Sequence, residues 1–251
     1  MRAMVLAAGL GTRLRPLTGN RPKALVEVGG RTMLELTLER LKRFGVREAI
    51  VNTHHHAEMI EEYLRANDNF GMRIEISREE TLLDTGGGLK KAAWFFLEEG
   101  DHSGLAEPFL VHNVDVLSTI DLSAIARAHR ENGALATLAV QARETSRYLL
   151  FDGEGRLVGR HKGTDEGPEW VGPDRDATAL AFCGIHVISP RVFTVMEESG
   201  VFSIIDAYID LARKGELVMS FKGNGAKWRD LGRPDSIAKA VEELAQGMYG
   251  C

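Results

Sequence analysis

The residues best placed to do chemistry come first in the chain. The stretch "LAAGLGTRLRPLTGNRPKALVEVGG" (residues 6–30) holds Gly9 and Gly11, Arg13 and Arg15 soon after them, and Lys23 directly after Pro22. A glycine has no Cβ, so its backbone amide can approach an anion closely. Arginine offers phosphate oxygens a planar fork, and lysine a compact charge. Two common phosphate loops do not fit. A dinucleotide fingerprint needs a third glycine where Leu14 stands, and Arg15-Pro16 delays any helix. A P-loop ends in Gly-Lys-Ser/Thr, which this stretch lacks. Two readings remain: a phosphate loop of another kind, or a tight strand-exit turn with solvated arginines.

Other candidates need elements to position them. "AMVLAA" (3–8) is a short apolar run closed by Gly9, as expected of a strand buried on both faces. The loop therefore sits at a strand's carboxyl end, where open α/β sheets bind ligands. Helical spacing follows over 32–45, with Gly45 as a stop, then a strand over 47–53 and a second amphipathic helix over 57–67. "MRIEIS" alternates as a strand, and "GGGLKKAAWFFLEEG" opens with glycines and becomes a helix that should bury Trp94, Phe95 and Phe96. "PFLVHNVDVLS" is a strand ending at Asp115, and Asp121 is a plausible cap for the next helix. This alternation to about Gly133 predicts a doubly wound, mostly parallel sheet with right-handed crossovers. Beyond it come a strand at 134–142, a hairpin around Asp152-Gly153-Glu154-Gly155 and a polar loop over 164–176 whose Trp170 could cover a ligand. The strand "TALAFCGIHVIS", helices at 190–198 and 203–214, and a closing helix from Pro234 complete the chain. The expectation is one domain over 1–251, with a nucleotide-binding half (1–133) and a second half (134–251) that adds strands and a lid.

Composition narrows the partners. A net charge of −5 argues against a general nucleic-acid binder, although a local Arg/Lys cluster suffices for small phosphates. No stretch approaches the roughly 20 apolar residues of a membrane span, and the N-terminal apolar run is too short for a signal peptide. Cys183 and Cys251 form neither a disulfide framework nor a metal-ligand spacing, which suits a reducing cytoplasm. "NTHHH" (52–56) suggests a metal, but three adjacent histidines cannot all face one way at a strand end. A loop flanking a binding pocket is the better reading.

"LAAGLGTRLRPLT" followed by "RPKALVEVGGRTMLE" resembles the signature of the sugar-1-phosphate nucleotidyltransferases. The resemblance continues through "DTGGGLKKA", "VHNVDV", "FCGIHVIS" and "WRDLGRPDS". It implies an α/β, Rossmann-like nucleotidyltransferase fold: a mixed, mostly parallel central sheet flanked by helices, with a smaller β-rich sugar-binding part. It also implies Mg²⁺-dependent attack by a sugar-1-phosphate on the α-phosphorus of an NTP, with release of pyrophosphate. By this resemblance Arg13, Lys23, Asp115 and Asp230 are catalytic, and Asp115 and Asp230 hold the metal. Leu6, Ala7, Ala8, Gly9, Gly11, Thr12, Arg13, Lys23, Thr85, Gly86 and Gly87 bind the nucleotide, and Asn113, Lys162 and Gly184 the sugar.

No catalytic histidine is needed, since a phosphate monoester oxygen is already ionised near neutral pH. Two departures stand out. Val114 replaces the glycine usual before the first metal-binding aspartate, and "RHKGT" stands where the family often has Glu-Lys-Pro. By the same resemblance, the "TGGG" run implies GTP with a mannose- or heptose-type phosphate, or UTP with an amino-sugar phosphate. A non-sugar acceptor such as phosphocholine, or a non-catalytic nucleotide-sugar sensor, are the alternatives. No long extension follows the closing helix, so an appended β-helical acetyltransferase unit is not expected. The oligomeric state stays open.

Overall fold

The computed structural model describes residues 1–97, 107–163, 167–173, 176–223 and 225–249. Cys251 and parts of the polar loop (164–166 and 174–175) lie outside them. The chain runs β1 (Ala3–Leu6), β2 (Glu27–Val28), β3 (Arg31–Thr32), α1 (Met33–Arg43), β4 (Glu48–Thr53), α2 (Ala57–Ala66), β5 (Arg73–Arg78) and α3 (Asp84–Lys91). It continues through β6 (Phe109–Asn113), β7 (Val116–Ser118), α4 (Leu122–Asn132), β8 (Ala136–Gln141), β9 (Tyr148–Phe151), β10 (Leu157–His161) and β11 (Glu169–Trp170). It ends with β12 (Thr178–Ile188), α5 (Val192–Val195), α6 (Ile204–Arg213), β13 (Val218–Lys222), β14 (Trp228–Asp230) and α7 (Pro234–Ala245).

The expected α/β sheet is present. β5, β4, β1 and β6 pair in parallel, in that order. β12 joins β6 antiparallel, and β9, β10 and β11 extend from it as an antiparallel ribbon, while β8 and β13 branch from β12. A single ten-stranded sheet thus runs through both the 1–133 and the 134–251 segments. β1 is buried on both faces for a visible reason. Ala3 and Val5 join the apolar cluster beneath α1, α4 and α7, whereas Met4 joins the opposite one beneath α3 and α6.

Local chemistry sets the helix ends. The Thr32 hydroxyl accepts from the Glu35 amide at 3.0 Å and starts α1, and Gly45 (φ 83°) ends the turn behind it. Asp121 accepts from the Ser123 and Ala124 amides at 2.8 and 2.9 Å, as expected for α4. Pro234 opens α7.

Three features differ from expectation. α3 stops at Lys91 and a short 3₁₀ turn (Ala93–Phe95) follows, so Phe95 and Phe96 are buried but Trp94 is 55% exposed. The strand expected to end at Asp115 ends at Asn113; β7 then pairs with β14 in a separate ribbon. β13 lies parallel to β8, a pairing with no signal in local sequence. Among the described residues no helix is long and apolar enough to cross a membrane.

Candidate active site

The loop after β1 is shaped by contacts only glycine permits. Gly11 has φ +62°, and a Cβ there would lie 2.9 Å from the Thr18 methyl and 3.0 Å from Lys23 Cβ. The Thr18 hydroxyl donates to the Gly11 carbonyl at 2.9 Å, and fully buried Leu14 anchors the 3₁₀ turn Thr12–Leu14. Gly9 differs: a Cβ there would meet nothing within 4 Å. Its open side faces a cavity of about 480 Å³.

That cavity gathers residues from distant parts of the chain. Leu6, Ala8 and Gly9 line it from the loop and Lys23 from the following 3₁₀ turn. Asn113, Val114 and Asp115 come from the end of β6, Asp84 and Thr85 from the start of α3, and Asn52 from the end of β4. The Lys23 ammonium and the Asp115 carboxylate form an ion pair, each mostly buried. Val114 is buried and has no left-handed backbone, so a valine stands there without strain.

Asp230 and Arg13 meet beside this cavity. β14 runs along β7, and the Leu231 amide donates to the Asp115 carbonyl at 2.8 Å. This sets the chain around Asp230 against Asp115. A Cβ on Gly232 would lie 2.6 Å from both Arg13 Nη2 and Asp230 Oδ1. The Gly232 amide itself donates to Asp230 Oδ1 at 2.6 Å. The two aspartates are hard oxygen donors beside two cations, a set that fits Mg²⁺ bound through one or two carboxylates plus substrate phosphates.

Other expected residues fall into two groups. Gly184 (φ +69°) forms a break in the β12–β8 register, and a Cβ there would lie 2.7 Å from Asn113 Nδ2. It therefore sits against the cavity-lining asparagine. Ala7 is spoken for by the protein, since its amide donates to Asn52 Oδ1 at 2.7 Å. Gly86 and Gly87 belong to α3 and have a packing reason of their own. Cβ atoms there would lie 2.3 Å from the Phe202 ring and 2.2 Å from the Gly200 carbonyl oxygen. Thr85 lines the cavity while its hydroxyl accepts from the Ile204 amide at 3.0 Å.

Lys162 lies in a second cavity, of about 530 Å³, with Arg147, Arg160, His161 and Phe182. Its ammonium is 2.9 Å from Glu169, which Arg160 and Arg213 also reach at 2.7 and 2.6 Å. Burial pushes the Glu169 carboxyl up, but those three hydrogen bonds outweigh it and hold the pKa at about 2. The segment 201–205 separates the two cavities: Val201 lines the first, Ser203 and Ile205 the second.

The rings of His55 and His56 lie 3.8 Å apart, but the three adjacent histidines form no metal-binding group among the described residues. His54 Nδ1 lies 2.9 Å from the Glu79 carbonyl, His55 faces a hollow beside Arg15, and His56 adopts a left-handed backbone at the start of α2. The deeper histidines, His112 and His186, stay neutral; burial lowers both to a pKa of about 3.

Two parts of the site went unread in the sequence. Asn52 donates from Nδ2 to Glu79 Oε1 at 2.7 Å, and Glu79 Oε2 accepts from the Leu83 amide at 2.9 Å. This buried relay links β1, β4 and the entry to α3. Its only sequence signal was a polar residue closing an apolar strand, overshadowed by the histidines after it. The 200–204 segment carried no signal, because its role comes from the absence of side chains on α3.

The nucleotidyl transferase family model matches residues 2–247. An N-acetylmuramate alpha-1-phosphate uridylyltransferase of Caulobacter vibrioides is 35% identical, over 97% of this chain and 97% of that protein. A mannose-1-phosphate guanyltransferase of Yarrowia lipolytica is 30% identical over 93% of this chain. That relative is longer, and the match spans 61% of it. The inositol-1-phosphate CTP transferase structure from T. maritima superposes with a TM-score of 0.75 over 98% of this chain and 96% of that one, at 19% identity. The structure of a "putative glucose-1-phosphate thymidylyltransferase" from Bacillus anthracis gives 0.79 over 98% and 95%, also at 19%. Those two likenesses show the fold.

Proposed function

Because the chain belongs to the nucleotidyl transferase family, we propose that it moves a nucleotidyl group from an NTP to a sugar-1-phosphate, giving an NDP-sugar and pyrophosphate. The observation that carries this reading is one cavity in which Gly9, Lys23 and Asp115 meet at the carboxyl end of β1 and β6. Open α/β sheets bind ligands at that edge.

The chemistry needs positioning and charge neutralisation more than proton transfer. The nucleotide's phosphates lie along the Gly9–Arg13 loop, where open space at Gly9 lets oxygen atoms approach the backbone. Arg13 holds the β- and γ-phosphates that leave together. Lys23 steadies charge at the α-phosphate as the sugar phosphate oxygen attacks from the opposite side. The attacking oxygen is already ionised, so no base is required. Asp115 and Asp230 would hold Mg²⁺, which would supply positive charge to offset that of the reacting phosphates. Asn113 and Gly184 border the sugar's place, and Lys162 guards the second cavity beyond it.

Relatives of both the uridylyl and guanylyl kinds match this chain along most of its length. The pair we favour is UTP and N-acetylmuramate α-1-phosphate, because the uridylyltransferase of that name is 35% identical over 97% of both chains. A reducing compartment, the cytoplasm, suits the buried free thiol of Cys183.

The test is a matrix of the five NTPs against a panel of sugar-1-phosphates with Mg²⁺, read as pyrophosphate. One strong combination is expected, with loss of about a hundredfold or more in Asp115→Asn and Asp230→Asn. Full activity in both variants would remove the metal assignment. Nucleotide binding without any pyrophosphate would remove the catalytic reading.

A further inference from the structure

The second cavity carries more positive charge than its own acids neutralise. Among the side chains that line it, Arg160 is held by Glu169 and Asp206, and Lys162 by Glu169. Arg213, just outside, takes Glu169 and Asp210. Arg147 is the lining cation with no acid partner among the described residues. It is exposed, and the chain beneath it is held by local hydrogen bonds. Its amide donates to the Thr145 hydroxyl at 3.3 Å, and the Thr145 amide donates to the Tyr148 hydroxyl at 3.2 Å. Tyr148 is in register with His161 across β9 and β10, beside Lys162. A Cβ on Gly163 would lie 2.4 Å from the Ser146 carbonyl oxygen, so the two chain segments are in close contact there.

The phosphate of the acceptor is not what this arginine is placed to meet. That phosphate must reach the first cavity, where Lys23 and Asp115 stand. Arg147 lines the other cavity, across the 201–205 segment. Gly184, packed against Asn113 of the first cavity, and Phe182 of the second are two residues apart on β12, so a sugar whose phosphate enters the first cavity has the second within its reach.

We infer that Arg147 reads an acidic substituent on the sugar ring, a carboxylate separate from the 1-phosphate. The inference rests on the proposed transfer to a sugar-1-phosphate and assigns the residue that reads the acid group of the favoured acceptor. An arginine fork pairs with a carboxylate through two parallel hydrogen bonds and discriminates against the uncharged analogue. Phe182 and Leu149 supply apolar walls that leave the charge contact to dominate.

The test compares two acceptors, N-acetylmuramate α-1-phosphate and N-acetylglucosamine α-1-phosphate, which lacks the carboxylate. UTP and Mg²⁺ are held constant. Arg147→Ala should lower kcat/KM about tenfold to a hundredfold for the acid sugar and change it less than about twofold for the neutral one. Arg147→Lys should recover part of the difference, since it keeps the charge and loses the fork. Melting temperature should stay unchanged, because the side chain is exposed. An equal fall for both sugars would mean that Arg147 serves the shared 1-phosphate, and the inference would be wrong. No fall for either would also overturn it. A wild-type protein that uses neutral sugars and ignores the acid sugar would overturn both the inference and the favoured acceptor. Wild-type turnover of the acid sugar with no effect of Arg147→Ala would overturn the inference alone.

Discussion

Replacing Gly87 by alanine should destabilise the protein, whereas the same change at Gly9 should not. At Gly87 the new methyl would lie 2.2 Å from the Gly200 carbonyl oxygen and 3.0 Å from Leu83 Cβ. An ordinary carbon–oxygen contact is about 3.3 Å or more, so α3 and the 200–202 backbone must part by about 1 Å. The Gly86 and Gly87 amides both donate to the Phe202 carbonyl, at 3.0 and 3.3 Å, and that separation strains both bonds. Overpacking of this kind costs about 1–3 kcal/mol, and a weakened backbone hydrogen bond adds about 1 kcal/mol. Alanine's better helix propensity returns about 1 kcal/mol. The net loss is about 1–3 kcal/mol, or roughly 2–12 °C in Tm for a chain of this size. At Gly9 a methyl meets nothing within 4 Å and the backbone is not left-handed. Its Tm should match wild type, while KM for the NTP rises about tenfold or more as the methyl enters the cavity. Calorimetry of both variants without ligand, followed by steady-state kinetics, separates the cases. A wild-type Tm for Gly87→Ala would refute the packing argument. An unchanged KM for Gly9→Ala would refute the claim that phosphate approaches that amide.

Two further outcomes follow from burial. His112 and His186 titrate in the unfolded chain near 6.5 and in the folded one at about 3, because burial disfavours their charged forms. Below pH 6.5 the unfolded state therefore binds more protons, so stability is complete above that pH and falls as the pH drops toward 3. At pH 5 the loss is roughly 2 kcal/mol for each histidine, read as a lower urea midpoint than at pH 7; an unchanged midpoint would contradict it. Burial likewise raises the Cys183 thiol to about 11. In a Cys251→Ser background a thiol reagent at pH 8 should label the native protein far more slowly than the urea-unfolded one, and equal rates would show that the thiol is reachable.

The parts of the fold that sequence revealed are those where one local pattern decides the outcome. β1 reads as doubly buried because its run has no polar face, and the stop behind α1 and the start of α4 read from Gly45 and Asp121. Trp94 was misread because the helical spacing continues past Lys91, whereas the backbone tightens into a 3₁₀ turn and rotates that ring outward. At the site, Gly9, Lys23 and Asp115 were legible because residue type and strand end coincide. The Asn52–Glu79 relay was not, since neither residue has meaning until β4 and the chain after β5 lie side by side. The glycines of α3 show a different limit. Their sequence says that something comes close, and only the fold identifies it as Phe202 and Gly200.

The eleven-residue strand β12 has a consequence for how this chain can be divided. It pairs with β6 at Ile185–Ile188, with β9 at Thr178–Leu180 and with β8 at Ala181–Phe182 and again at His186–Ile188. A fragment ending near residue 133 would leave β6 with a bare row of amides and carbonyls, an invitation to pair with a neighbouring molecule. Expression of the first half alone should therefore favour aggregates, and splitting the gene at that point would separate a keel from its hull.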